Sequence, residues 1–312
     1  PTIRGHVLSM ATMRSQTAVL VRIRFSDGST GIGEGTTIGG LTYCVESPES
    51  IQSAIATYIA PALKGKGADD VNTSIQLMDK LVRGNRIAKA AVEIALWDGL
   101  GKRLGVPVSQ LFGGQVYARM PVAWTLASGS SDTDIAEALE MIETRRHNIF
   151  KLKIGKRSVR DDVAHVAAIK RAVGDAGSVR VDINQAWSLH DARWGLKGLQ
   201  DAGCELVEQP VQGRYVEAQR ELTAKYEIAV MADEVLNGPE DALEIAANAA
   251  ADVFAVKVAQ SGGIKRASEV VAIGQAAGLG LYAGTMLETG LGTAAALQLF
   301  CTVEKLSWGT EL

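Results

Sequence analysis

"FKLKIGKRSVRDDVAHVAAIKRAVGDAGSVRVDI", residues 150–183, decides how this chain is read. FKLKI (150–154) and VRVDI (179–183) alternate apolar and charged residues with the two-residue period of a strand. Between them RDDVAHVAAIKRAVG (160–174) carries apolar residues at helical spacing and stops on a glycine. Strand, helix and strand in this order make one parallel βα unit. Alternate side chains share a face of a strand, so Lys151 and Lys153 point together, away from Phe150, Leu152 and Ile154.

The unit recurs. Strands are expected at MPVAWTLA (120–127), CELVEQ (204–209), IAVMADE (228–234), VFAVKV (253–258) and LGLYAG (279–284), with amphipathic helices such as KRASEVVAIGQAAG (265–278) between them. A period of about 25 residues, one strand and one helix each, is that of a parallel sheet. With a short last strand near KLSW (305–308), the count favours a closed (β/α)7β TIM-like barrel of the α/β class over a doubly wound open sheet.

Upstream the pattern differs. TAVLVRIRF (17–25), SDGST (26–30) and GIGEG (31–35) read as a hairpin turning at Asp27-Gly28. A glycine-containing loop, TTIGGLTYCVES (36–47), and helical periods near 48–62, 71–83 and 87–104 follow. These predict an α+β domain over residues 1–115 ahead of a barrel domain over 116–312.

Composition narrows the partners. Lys and Arg number 32 against 35 Asp and Glu, a net charge of −3, which gives no basic footprint for nucleic acid and no polybasic membrane anchor. Cys44, Cys204 and Cys301 form no CxxC pair and are expected to be reduced thiols. No apolar run approaches the roughly 18 residues of a membrane span, and the start has no signal-peptide core, so a cytoplasmic protein with a small-molecule substrate is expected. The sequence starts at Pro1 without Met and is expected to lack terminal residues.

In such barrels the reacting groups sit at the C-terminal ends of the strands. Those ends carry Lys151 and Lys153, then Asp182, Glu208, Asp233 and Lys257, all charged. A single aspartate there reads as a helix cap. Three carboxylates in register on consecutive strands repel one another unless a cation lies between them. An all-oxygen set without thiolate or imidazole suits Mg²⁺ or Mn²⁺ rather than zinc. The second and sixth strands of eight are opposite, which sets Lys153 against Lys257 across the mouth. A lysine beside another lysine and a dication is expected to be pushed toward the neutral amine, able to take a proton at neutral pH, with Lys151 contributing to the push and available to a substrate carboxylate. A metal-held carboxylate with an amine over its α-carbon specifies enolisation.

From GIGEGTTIGGLTY through FKLKIG, VRVDINQAW, ELVEQPV, IAVMADE, FAVKVAQSGG and LYAGTMLETGLGT to LSWGTEL, the chain resembles the enolase superfamily, and within it the muconate lactonizing subgroup. The resemblance implies that the N-terminal α+β domain caps the barrel, that Mn²⁺ or Mg²⁺ is bound by Asp182, Glu208 and Asp233, and that the assembly is a homo-octamer. It implies Lys153 as general acid/base with Lys151 supporting it, Lys257 on the opposite face, and Glu311 at the end of the last strand. The reaction implied is syn lactonisation of the dicarboxylate cis,cis-muconate. Ile38 and Tyr43, in a loop like the one that closes over substrate, and Asn184 are the implied substrate-binding residues; Ile38 and Tyr43 favour the non-halogenated acid over chloromuconates. It also implies further segments at both ends, one returning to the cap. A sugar-acid dehydratase on this scaffold would place a histidine on a late strand, and His6, His147, His165 and His190 occupy no such position. A racemase or epimerase of acylamino acids or dipeptides would keep both lysines and stays open on the residues alone. A non-catalytic barrel would have no use for Lys153 facing Lys257.

Overall fold

The N-terminal part is organised by an alternation of glycines. The computed structural model describes residues 6–7, 12–67 and 69–312; most of the expected beginning of the capping domain, residues 1–5 and 8–11, lies outside the described residues. β1 (His6–Val7) pairs antiparallel with β2 (Thr12–Met13), and β3 (Ala18–Arg24) with β4 (Thr30–Thr36), in the register Val21 to Gly33. The hairpin turns where expected: Gly28 has φ +86° and Asp27 Oδ1 accepts from Ser29 N at 2.9 Å. Then come α1 (Pro48–Ala54), whose helical path runs on through Leu63, α2 (Val71–Leu81) and α3 (Arg86–Leu104). β4 reads TGIGEGT, and its glycines lie on α3. A Cβ at Gly33 would be 2.0 Å from the Ala91 carbonyl oxygen, so only glycine lets this strand rest on the helix backbone. Ile32, Glu34 and Thr36 face the other way.

Parity also builds the second part. Among the described residues, β5 (Trp124–Leu126), β6 (Ile149–Lys153), β7 (Ser178–Asp182), β8 (Leu206–Glu208), β9 (Ala229–Ala232), β10 (Val253–Val256) and β11 (Gly280–Ala283) form one parallel sheet in chain order. The helices following them are α4 (Ser131–Glu143), α5 (Val159–Val173), α6 (Leu189–Asp201), α7 (Val216–Lys225), α8 (Pro239–Ala247), α9 (Ile264–Ala276) and α10 (Gly290–Phe300). Thr310 makes parallel bridges to Ala283 beyond one edge and Val122 beyond the other, which closes a (β/α)7β barrel. The closing position differs from the expected KLSW: Leu306 is buried against the helices and Trp308 turns under the barrel, leaving the pairing to Thr310 two residues on.

Phe150, Leu152, Val179, Val181, Val207 and Val230 pack outward against the helices, and Phe254, Val256 and Leu281 continue that layer. Every intervening residue therefore points into the barrel. Leu206, Met231, Val253, Ala255 and Tyr282 fill its lower part. Arg180 is buried among them, its guanidinium 5.6 Å from the Tyr282 ring and 5.3 Å from that of Trp308, donating to Trp308 O at 2.8 Å. Above this plug the inward positions of β6 to β8 are charged, while β5 contributes Thr125.

Candidate active site

The β6–β7–β8 register sets Lys153 beside Asp182 and Asp182 beside Glu208. Asp233 and Lys257 each stand one residue past the end of β9 and β10. The capping explanation for the acids does not apply. Ser158 and Ser188 cap α5 and α6, the residues before α7 and α8 are Tyr215 and Gly238, and Asp182 Oδ1 instead accepts from Asn184 N at 2.9 Å. Asp182, Glu208 and Asp233 are all fully buried.

The lysines reach these acids. Lys153 Nζ donates to Asp182 Oδ2. Lys257 Nζ lies 2.7 Å from Asp233 Oδ1 and 2.8 Å from Oδ2, and donates to Tyr43 Oη at 2.6 Å. Lys151 is buried deeper, 2.7 Å from Glu311 Oε2 and 3.6 Å from Asp182 Oδ2, with Glu208 also in ion-pair reach. Gly284 makes room for Lys257: a Cβ there would be 2.9 Å from the lysine Cγ. Lys151, Lys153, Asp182, Asn184, Asp233, Lys257 and Glu311 line one pocket with Ile38 and Tyr43, so the structure brings together every predicted site residue except Glu208, which lies directly beneath Lys151.

Electrostatics here depart from one expectation. Lys151 meets carboxylates rather than a second ammonium: burial disfavours its charge, but Glu208 and Glu311 outweigh that and hold its pKa well above the ordinary lysine value. Its charge is retained, as expected, but is spent on the protein's own acids rather than left for a substrate carboxylate. Burial likewise opposes the Asp182 carboxylate, yet Lys153 and Lys151 pull its pKa down to about 2. Glu208 goes the other way, raised well above the usual carboxylate range by burial and then by the Asp182 charge.

Whether the acids fit a metal can be read from their unused atoms. Both Glu208 oxygens and Asp233 Oδ1 are buried without a hydrogen bond of proper geometry, although Lys151 and Lys257 stand within ion-pair distance. As they stand the three acids do not converge: among the described residues no three His, Cys, Asp or Glu side chains form a ready cage. Buried, adjacent, oxygen-only and short of donors, they fit a hard divalent cation.

Sequence reasoning missed several neighbours. Glu234 accepts from Asn184 Nδ2 at 3.1 Å, and burial with the adjacent Asp233 charge raises its pKa to about 8. Gln260 Nε2 donates to the Asp233 carbonyl at 2.8 Å, and Thr125, Thr285 and Leu287 line the pocket. Glu234 was reachable as the last letter of MADE; Gln260 sits in a single helical turn, Val258–Ser261, and Leu287 in a loop, neither with a pattern to mark it. Tyr43 was expected as a substrate-binding residue of the loop; its hydroxyl also donates to Asp233 Oδ2 at 2.8 Å, and burial and Asp233 hold its pKa well above that of a free tyrosine. Among the described residues, no histidine lines the pocket.

Comparisons with known proteins agree with this geometry. Residues 1–113 match the mandelate racemase / muconate lactonizing enzyme N-terminal domain, and residues 134–312 match the enolase C-terminal domain-like family. Over its whole length the chain is 54% identical to muconate cycloisomerase 1-1 of Acinetobacter lwoffii, covering 82% of that relative. It is 45% identical to the chloromuconate cycloisomerase of Pseudomonas sp. strain P51, covering 84% of it. The muconate lactonizing enzyme of Pseudomonas fluorescens, solved with muconolactone, superposes with a TM-score of 0.98 at 50% identity, over all of this chain and 84% of that one. An oxygen-rich pocket lined by lysines of a parallel barrel thus belongs to a chain of the mandelate racemase / muconate lactonizing enzyme family.

Proposed function

We propose that this chain is a cycloisomerase that converts cis,cis-muconate to muconolactone, with residues 1–115 capping the barrel of residues 116–312. The observation that carries the reading is a single pocket in which Lys153 and Lys257, from the second and sixth strands, hold separate acids while Ile38 and Tyr43 of the cap stand over them. Similarity to muconate cycloisomerases exceeds that to the chloromuconate enzyme and supports the unsubstituted acid as substrate.

Asp182, Glu208 and Asp233 would hold the divalent ion, Mn²⁺ or Mg²⁺, and Asn184 would steady the Asp182 carboxylate through its amide. When bound, the ion supplies electrostatic stabilisation to the substrate carboxylate on which negative charge develops. In the forward direction an oxygen of one carboxylate of muconate bonds to the β-carbon of the double bond conjugated to the other carboxylate, closing a five-membered ring. The π electrons of that double bond move to the α-carbon and its carboxylate, giving an enolate. The Lys153 ammonium then passes its proton to the α-carbon, and Lys257 balances the delocalised charge from the other face. Lys151 and Glu311 act together beneath this pair: their ion pair fixes Glu311 at the rim and keeps Lys151 from wandering into the substrate space. Ile38, Tyr43 and the loop carrying them exclude water from the closed site.

An assay of absorbance loss tests the reading, with cis,cis-muconate and 2-chloromuconate each supplied with Mn²⁺. Turnover of the unsubstituted acid, reduced by at least about a hundredfold in Lys153→Ala, is expected. Activity confined to acylamino acids would overturn it. The homo-octamer and the cytoplasmic location belong to the same proposal, carried from the family resemblance; among the described residues no helix is long and apolar enough to cross a membrane.

A further inference from the structure

One buried carboxylate outside the pocket has no part in this scheme. Glu34, on the face of β4 opposite the glycines, is 1% exposed. Its Oε1 accepts from Thr289 N at 2.8 Å, and its Oε2 accepts from the Thr289 hydroxyl and from Gly292 N at 2.9 Å. A capping-domain strand thus holds the first turn of α10, where unpaired N–H groups and the helix dipole favour an anion.

What Glu34 holds leads into the pocket. Residues 284–289 connect β11 to α10, and Thr285 and Leu287 of that connection line the site. Leu287 has φ +57°, a left-handed backbone that a leucine keeps only where its surroundings fix it. Two of the fixing bonds are local, Leu287 N donating to Thr285 Oγ1 at 2.9 Å and Met286 N to Glu288 Oε2 at 2.8 Å, and a third comes from the N-terminal part, Gln16 Nε2 donating to Met286 O at 3.2 Å. At the near end Thr285 N reaches Glu311 Oε1 at 3.4 Å. At the far end the anchor is Glu34, which also stands two residues before the end of β4 and hence just ahead of Ile38.

We propose that Glu34 is a positioning residue that latches the capping hairpin to residues 284–292, thereby setting the spacing between Ile38 and Leu287 across the substrate pocket. The inference rests on the function proposed above for its effect on substrate. The latch itself is a property of the fold. A glutamine at this position would turn one N–H₂ toward N–H or O–H donors and lose at least one of the three bonds.

The test compares native chain, Glu34→Gln and Thr289→Val, the last removing the hydroxyl contact to Glu34 together with that hydroxyl's longer cap bond from Leu291 N at 3.4 Å. Two measurements are made: hydrogen exchange of the 285–292 amides, and steady-state kinetics on cis,cis-muconate with Mn²⁺. In Glu34→Gln the amides of Thr289 and Gly292 should exchange at least about tenfold faster while α3 keeps its protection, and KM should rise about tenfold with kcat within about threefold. Thr289→Val should move both readouts the same way by less. Unchanged exchange overturns the latch. Faster exchange with unchanged KM, or a fall in kcat at constant KM, overturns the positioning role, because a merely structural loss reduces the active fraction without altering affinity. If Glu34→Gln does not fold, Thr289→Val decides by the same outcomes. A native chain that ignores muconate overturns the proposed function instead, and the exchange result alone then decides the latch.

Discussion

Lys151 shows how a single residue can be legible in place and in charge yet misread in its partner. Strand alternation put its side chain inside the barrel, and the structure has it there. The sequence could not say that Glu311, 160 positions away, would meet it at 2.7 Å, because barrel closure at Thr310 brings them together. The ammonium is therefore locked among carboxylates. Replacing it by methionine strands Glu208, Glu311 and Asp182 without that counter-charge, and breaking a buried pair on one side costs about 3–5 kcal/mol. Urea unfolding without divalent cation should show a loss of at least about 3 kcal/mol for Lys151→Met. The exposed Lys80→Met should change by less than about 0.5 kcal/mol, and equal effects would refute the account of Lys151. Tyr43 was named as a substrate-binding residue, but its bonds to Asp233 and Lys257 join a loop of the N-terminal part to the ends of β9 and β10, and no local spacing announces them.

At the scale of elements, periodicity carried most of the information. Each expected barrel strand from FKLKI to LGLYAG appears within a residue or two, and the helix over 160–174 is found at Val159–Val173. The miss at KLSW has a physical reason. A strand reduced to one bridged residue leaves no alternation to detect, while Leu306 and Trp308 are apolar for other packing duties. GIGEG was read as a return strand, but its alternating glycines say more than that, since they measure how closely β4 approaches α3. Gly33→Ala should therefore cost more than 3 kcal/mol, or prevent folding, by forcing strand and helix apart. Gly28→Ala, at a positive φ with no atom within 4 Å of the added carbon, should cost only about 1 kcal/mol of conformational strain. Chemical denaturation of the two variants checks the order, and the reverse ranking would contradict the described contact.

For the whole molecule, the N-terminal helices and the barrel are joined by a half-buried ion pair and a buried carboxylate as well as by apolar surface. Asp79 on α2 binds Lys89 on α3 at 2.8 Å and Arg266 on α9 at 2.7 Å. Glu93 on α3 accepts from Ile264 N at 2.8 Å and Lys265 N at 2.9 Å at the start of α9, and from Trp97 Nε1. Burial pushes the Glu93 pKa up to about 7, against the pull of those backbone donors. A carboxyl raised on folding binds its proton more tightly in the native state. Its stabilising contribution is complete below the unfolded value of 4.5 and is lost as pH rises through about 7. That loss is on the order of 3 kcal/mol. Glu93→Gln should flatten the stability profile between pH 5 and 8, measured by denaturation at each pH; an unaltered slope would place the titration elsewhere.

The central claim is that Lys153 delivers a proton to one face of an enolate, and isotopic labelling reads that event itself. Native chain with Mn²⁺ and cis,cis-muconate in D₂O should give muconolactone with a single deuterium on the α-carbon, on the same face as the new ring C–O bond. Lys153→Ala should form no labelled lactone above background. Deuterium spread over both faces, or labelled product from Lys153→Ala within about tenfold of the native rate, would contradict the account.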